Sequence, residues 1–360
     1  MNIGLIIYGR LDTLTGGYIY DRMLVRHLRQ HGHEVEVVSW VRQSYARNIL
    51  DNFSVKRFIR LISAPYDLLL QDELAHPSLC WFNRRLKKTI QFPIVAIIHQ
   101  VLCRQPRNGL LNGLYESLER PYFKSVDACI YNSASTQRTV EGLTRRLQPS
   151  IVAWPAGDRL GSLDSPDSIE SRSWEPGPLQ LIFVGNVLPN KGLLPLIEDL
   201  SSLPAGSWRL RVVGSLEMDS VCYGKVKESV DAANLTEQVL FAGPVDGPEL
   251  SSMLTQSHVF VMPYSHEGFG MAHMEAMGFG LPVIGCANGA VREFVKHAHN
   301  GFLIHPADRQ KTAAYLNGLH NDRQLLAAMS RAAWESFQEH PRWEDTMGRI
   351  EAFLRDLAGE

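Results

Sequence analysis

The stretch EGFGMAHMEAMGFG, residues 267–280, sets Glu267 and Glu275 eight residues apart around the turn Gly268-Phe269-Gly270-Met271. It follows the apolar run SHVFVMP, so the turn reads as a strand-to-helix connection with Glu275 inside the helix. Backbone N–H groups at such a turn face outward and suit an anion. Ala272, Met274, Ala276 and Met277 make the helix largely packed, and a carboxylate held there needs partners. A vicinal diol of a ribose or hexose fits, because one ionised carboxylate accepts two hydrogen bonds. A solvated glutamate on an ordinary helix is the plain alternative.

Three other turns carry residues of similar promise. FVGNVLPNKGLLPLIEDL is again strand, turn and helix, but it lacks the Gly-Lys-Ser/Thr of a P-loop and the hydroxyl that would hold magnesium. Lys191 remains, at a helix N-terminus, where it can neutralise a phosphate; a surface lysine is the alternative. In YGRLDTLTGGYIYD, Gly16 and Gly17 open the first long helix without a dinucleotide fingerprint, either for close backbone approach to an anion or as a flexible loop. PIVAIIHQ puts His99 just past the carboxyl end of a buried strand, whereas His31 and His33 flank the helix-ending Gly32 and read as turn residues. No H-E-x-x-H, no tight His/Asp/Glu cluster and no Asp-x-Asp occurs along the chain, so no metal is expected, and no G-x-S-x-G supports a serine hydrolase.

The elements that must position these turns alternate from end to end, as parallel α/β sheets do. Strands are predicted near 2–8, 34–39, 67–71, 93–98, 127–131 and 151–153, with a helix over 17–31. A second series is predicted near 179–184, 209–213, 238–242, 258–262, 282–285 and 302–304, followed by an entirely helical tail from about 307. Between the two series, residues 155–178 are rich in Pro, Gly, Ser and Asp without an apolar period and read as a loop or linker. Ligands of doubly wound sheets sit beyond the carboxyl ends of the strands, where these turns lie.

A chain of 360 residues is long enough for two such domains, and 45% hydrophobic with 21% charged residues is ordinary for a soluble protein. MNIGLIIYGR reads directly as a first strand with no leader, and no run is long enough to span a membrane, so a cytoplasmic location is expected. Five scattered cysteines without a CxxC pair point to reduced thiols. The net charge of -2 hides an asymmetry: residues 1–150 hold 20 Lys and Arg against 12 Asp and Glu, or +8, and the remainder balances at -10. The basic clusters at 41–60 and 83–89, with Arg104 and Arg107, suggest an anionic partner or a solvated basic face. A phosphorylated substrate or a lipid surface is favoured over nucleic acid, which is not expected as a partner.

Together these turns resemble the retaining glycosyltransferases of family four, over essentially the whole chain. The most specific part is EGFGMAHMEAMGFGLPVIGCANGAVREFV…NGFLI, similar to that family's E-x7-E block with its following strand, glycine turn and NG strand. The resemblance implies the GT-B fold: two Rossmann-like α/β domains facing each other across a cleft that holds a sugar nucleotide. Residues 1–155 would form the acceptor domain, completed by a C-terminal helix at 343–357, with 156–178 as linker and 179–342 as donor domain. By the same resemblance Glu275 would bind ribose hydroxyls, Glu267 the transferred sugar, and His99 would lie near the reacting sugar. Lys191 would hold the diphosphate with the backbone of Gly16-Gly17 and of Gly268, Phe269, Gly270 and Met271. Asn186 stands where the family usually has an arginine, and Arg10 in the first loop is the substitute considered for its charge. The implied reaction is a metal-independent, front-face transfer to a hydroxyl acceptor; separately, the basic face of the first domain suggests peripheral contact at the cytoplasmic face of a membrane. A glycoside phosphorylase, and a non-catalytic sugar-nucleotide or glycan binder, are the other readings on this frame; a nicotinamide dehydrogenase is set aside because both glycine fingerprints fail.

Overall fold

The apolar runs and the helices between them build parallel sheet twice over. The computed structural model describes residues 1–105, 109–163 and 165–359, and Arg107 of the basic cluster lies outside them. Two units result, one of Met1–Pro155 with Trp343–Glu360 and one of Ala156–Arg342.

In the first unit β1 (Asn2–Tyr8), β2 (Glu34–Trp40), β3 (Leu68–Asp72), β4 (Ile94–Ile98), β5 (Ala128–Tyr131) and β6 (Ser150–Val152) pair in the order β2-β1-β3-β4-β5-β6. All five pairings are parallel. Every residue of β3 and β4 is buried, as strands covered on both faces require, while the edge strand β2 alternates. The chain runs from β1 to β2 on one side and returns to β3 on the other, so the crevice of this sheet opens at the carboxyl ends of β1 and β3. The first helix, Gly16–Gln30, buries Tyr20, Leu24 and Leu28. The C-terminal helix, Trp343–Ala358, belongs to the same unit. There its Trp343 ring meets that of Tyr20 edge-on at 5.8 Å, and Thr346 Oγ1 donates to the carbonyl of Trp154 at 2.9 Å.

The second unit repeats the plan with β7 (Leu179–Val184), β8 (Trp208–Val213), β9 (Val239–Gly243), β10 (Val259–Met262), β11 (Val283–Cys286) and β12 (Gly301–Ile304). Their order is β12-β11-β10-β7-β8-β9, all parallel, and the direction of winding reverses between β7 and β10.

Residues 156–178, expected as a linker, do not form one throughout. Pro166–Ser173 is a helix of the second unit, opened by Ser165, whose hydroxyl accepts from the Asp167 N–H at 3.1 Å, with proline in the first turn. It is held by Ile169 and by Arg172, whose Nη1 donates to Thr255 O at 3.0 Å and whose Nη2 donates to Phe279 O and Gly280 O at 2.9 and 3.0 Å. A helix whose inner face rests on a guanidinium has no apolar period to read. The cysteines are free thiols, four of them buried. Among the described residues no helix is long and apolar enough to cross a membrane.

Candidate functional site

In the second unit the turns after β7 and β10 lie side by side at the switch point. Gly192, left-handed at φ +70°, makes this possible: a Cβ there would come within 2.5 Å of the Tyr264 side chain. Lys191 is the last residue of a 3-10 turn, Pro189–Lys191, and so precedes the Leu193–Leu200 helix rather than opening it. Its Nζ reaches Glu267 Oε1 at 2.6 Å, and the Ser265 hydroxyl bonds to the same oxygen. Burial pushes the Glu267 carboxyl up, but the charge of Lys191 outweighs it and leaves the group below its ordinary value. His273, also buried, has no hydrogen-bond partner for either ring nitrogen among the described residues, and burial holds it neutral by lowering its pKa to about 4.

The glycine turn leads into the Met271–Gly278 helix, with Gly270 at φ +101° as its N-cap. The first residues of a helix leave their N–H groups without intrahelical acceptors. Phe269 turns its ring into the core between Phe294 and His340, so only its backbone belongs to the turn's polar face. Glu275 is buried on this helix, and its Oε1 accepts from Arg159 Nε and Nη2 at 3.0 and 2.9 Å. Arg159 comes from the 3-10 turn Asp158–Leu160, which approaches because Gly157 has no side chain: a Cβ there would lie 2.9 Å from the Met274 backbone. Burial raises the Glu275 carboxyl and Arg159 pulls it back only in part. The second oxygen of Glu275 has no protein partner among the described residues. Asn186 uses its Oδ1 to accept from the Ser215 N–H at 2.9 Å, so it braces the neighbouring loop rather than presenting that oxygen to a ligand.

In the first unit His99 follows β4 at the switch point of that sheet. Its Nε2 donates to Asp21 Oδ1 at 3.1 Å, and its backbone N–H donates to Glu73 Oε2 at 3.0 Å. The Tyr20 ring stands edge-on to it at 5.2 Å. Gly17 gives the imidazole room, since a Cβ would lie 3.0 Å from its Cδ2; Gly16 begins the same helix. Asp21, Asp72 and Glu73 are buried, and each has one oxygen without a hydrogen-bond partner among the described residues. Burial alone would lower the His99 pKa, but Asp21, with Glu73 and Asp72 behind it, raises it to about 10. Asp72 and Glu73 are themselves pushed up by burial, which favours their protonated forms. Arg10 is turned to Asp12, with its Nε and Nη2 at 3.0 and 2.6 Å from the two carboxylate oxygens.

Folding therefore joins Lys191 to Glu267 within the second unit and seats Glu275 one turn further on, while His99 is embedded in an acidic cluster of the first. The sequence reading missed Asp21, Asp72, Glu73, Arg159 and His273. Asp72-Glu73 stands directly after LLLQ, at the carboxyl end of β3, the same positional signal that singles out His99. Donor groups that a metal could use also come together although none clusters along the chain: Asp21, Asp72 and His99 in one place, and His27, His31 and Glu344 in another. In the first group Nε2 of His99 is already taken by Asp21.

Residues 164–336 match the family described as glycosyl transferases group 1. An uncharacterized glycosyltransferase of Methanocaldococcus jannaschii is 23% identical, over 96% of this chain and 95% of that one. The sucrose-phosphate synthase structure from Thermosynechococcus elongatus superimposes with a TM-score of 0.84 at 19% identity, covering 99% of each chain. Anabaena HepE in complex with UDP-glucose superimposes at 0.75 with 18% identity over the whole of both chains. The structural likenesses show the two-sheet GT-B architecture.

Proposed function

We propose that the chain, whose residues 164–336 match the glycosyl transferases group 1 family, is a glycosyltransferase that carries out a retaining, metal-independent transfer of a hexose from a nucleoside-diphosphate sugar to a hydroxyl acceptor. The observation that carries the reading is the Lys191–Glu267 pair at the switch point of the second sheet, one helix entry before Glu275. UDP is the nucleotide to test first, because the similar Anabaena protein is in complex with UDP-glucose.

In this reading the unpartnered oxygen of Glu275 accepts from the ribose hydroxyls while Arg159 fixes the other oxygen. Lys191 and the leading N–H groups of the Met271–Gly278 helix face the diphosphate. The bond between the anomeric carbon and the phosphate oxygen breaks with its electron pair leaving on the phosphate. The acceptor oxygen bonds to the same face of that carbon, and its proton passes to the departing phosphate. Preorganised donors at the oxygen where charge develops are each worth about 3–4 kcal/mol. Glu267 is poorly suited to be a nucleophile, because one of its oxygens is shared by Lys191 and Ser265; it meets the transferred sugar instead. By the family resemblance alone, His99 would act near the reacting sugar.

The acceptor is read as anionic or lipid-linked, with peripheral membrane contact through the first unit. The Val55–Ile62 helix leaves Val55 and Ile59 exposed beside Lys56 and Arg60, and Phe53 and Trp81 are also exposed. A depression of about 450 Å³ is lined by Arg84, Arg120 and Lys124 together with Glu116.

Thermal unfolding with UDP, GDP, ADP and their sugars tests the donor half. A nucleotide at a hundred times its dissociation constant adds about 2.7 kcal/mol of stability, and Glu275→Ala should abolish that shift. If no nucleotide moves the midpoint of the wild type, the donor assignment is wrong.

A further inference from the structure

His27 and His31 stand one helical turn apart at the end of the Gly16–Gln30 helix, their rings stacked at 4.1 Å. Glu344, in the first turn of the C-terminal helix, faces both. Its Oε2 is 3.6 Å from His27 Nδ1 and its Oε1 is 3.8 Å from His31 Nε2. These separations are too long for hydrogen bonds. They are within a few tenths of an ångström of the roughly 3.3 Å that separates two ligands of a tetrahedral ion bound at about 2.0–2.1 Å.

The other ring nitrogens decide which atoms are free. His27 Nε2 lies 2.9 Å from Glu351 Oε2, a carboxylate oxygen that can only accept, so in the neutral imidazole, the form that binds a metal, Nε2 carries the proton and Nδ1 the lone pair. His31 Nδ1 lies 2.9 Å from the carbonyl of His27, which also can only accept, so the lone pair is at Nε2. Both lone pairs thus face the Glu344 carboxylate. Histidines that ligate metals are oriented in the same way, with the second nitrogen donating to a carboxylate or a backbone carbonyl. The independent sign of a missing ligand is His27 Nδ1, which is fully buried and has no hydrogen-bond partner among the described residues, on a side chain only 5% exposed.

We propose that His27 Nδ1, His31 Nε2 and the Glu344 carboxylate bind one divalent metal ion of the zinc class, which clips the C-terminal helix to the first helix of the same unit. Two imidazoles and one carboxylate are borderline donors suited to zinc and its first-row neighbours rather than to calcium or magnesium. The fourth position is left to water. Glu351 is the outer carboxylate of the site, and it also accepts from His33 Nε2 at 3.0 Å and Arg355 Nη2 at 3.2 Å. The site is separate from the donor chemistry: by rise per residue it lies roughly 15 Å along the helix from Gly17.

The test is titration of the full chain with cobalt chloride, followed by visible absorption, and with zinc chloride, followed by thermal unfolding. The expected result is one cobalt per chain, displaced by zinc, with a zinc-induced rise in the unfolding midpoint. His31→Ala and Glu344→Ala alter exposed side chains, 43% and 73% accessible, and leave the core intact. Each should weaken binding by at least about tenfold and remove the rise, while His299→Ala should change neither. Absence of saturable binding, or binding that both variants leave unchanged, would overturn the proposal and leave an ordinary pair of histidines beside a glutamate.

Discussion

A buried imidazole keeps its proton only if an anion is held beside it, and Asp21 is that anion for His99. Asp21→Asn preserves an acceptor for Nε2 but removes the charge, so burial then leaves His99 neutral at neutral pH. Turnover should fall by about a hundredfold, and the loss should shrink as the pH is lowered and the imidazole recharges. A kcat profile of the variant parallel to that of the wild type would show that the charge on His99 does not matter. The same shift has a stability consequence with a definite sign. The raised pKa means the folded state binds the proton more tightly, so its contribution is complete below the ordinary value and is lost as pH rises toward about 10. Lys191 and Glu267 form a second residue-scale experiment. Lys191→Ala should lower kcat by about 10²–10³ and also destabilise, because it strands the Glu267 carboxylate. Adding Glu267→Gln should restore the unfolding midpoint without restoring turnover; if both recover, Lys191 is only a structural counter-ion.

At the scale of elements, the Pro166–Ser173 helix is fastened by Arg172 donating to three carbonyls from two other segments. Arg172→Ala strands these acceptors and should cost about 2–4 kcal/mol, seen as an earlier urea midpoint with no change in nucleotide affinity. A midpoint within error of the wild type would mean that water replaces the guanidinium. That helix also marks where the sequence stops being readable. The β-strands were legible because LLLQD, PIVAII and LQLIFVG are apolar runs of strand length bounded by turn residues, and the turns carrying Glu267, Lys191 and His99 follow from where such runs end. Arg159 and Arg172 were not legible, because a guanidinium in a Ser/Asp/Pro-rich stretch looks solvated until the carboxylate or carbonyls it serves are brought to it. His27 and Glu351 were invisible for the same reason: they are partners more than three hundred residues apart in sequence.

For the molecule as a whole, the charge asymmetry read from composition takes a physical form in the first unit, where exposed Phe53, Val55, Ile59 and Trp81 lie among basic side chains. Anionic vesicles should sediment the full chain, zwitterionic ones should not, and added salt should release it. Phe53→Glu with Ile59→Glu should abolish sedimentation while leaving the nucleotide-induced shift intact; equal binding to both vesicle types would remove the electrostatic part of the reading. The seat of the C-terminal helix has a consequence for biosynthesis. The unit that begins with Met1 is completed by residues 343–358, which are translated only after the whole of the second unit. Tyr20 and His27 therefore wait for Trp343 and Glu351 while all of the second unit is synthesised and can fold. Order of synthesis and order of completion therefore differ in this chain: the unit begun first is closed only after the second has been made.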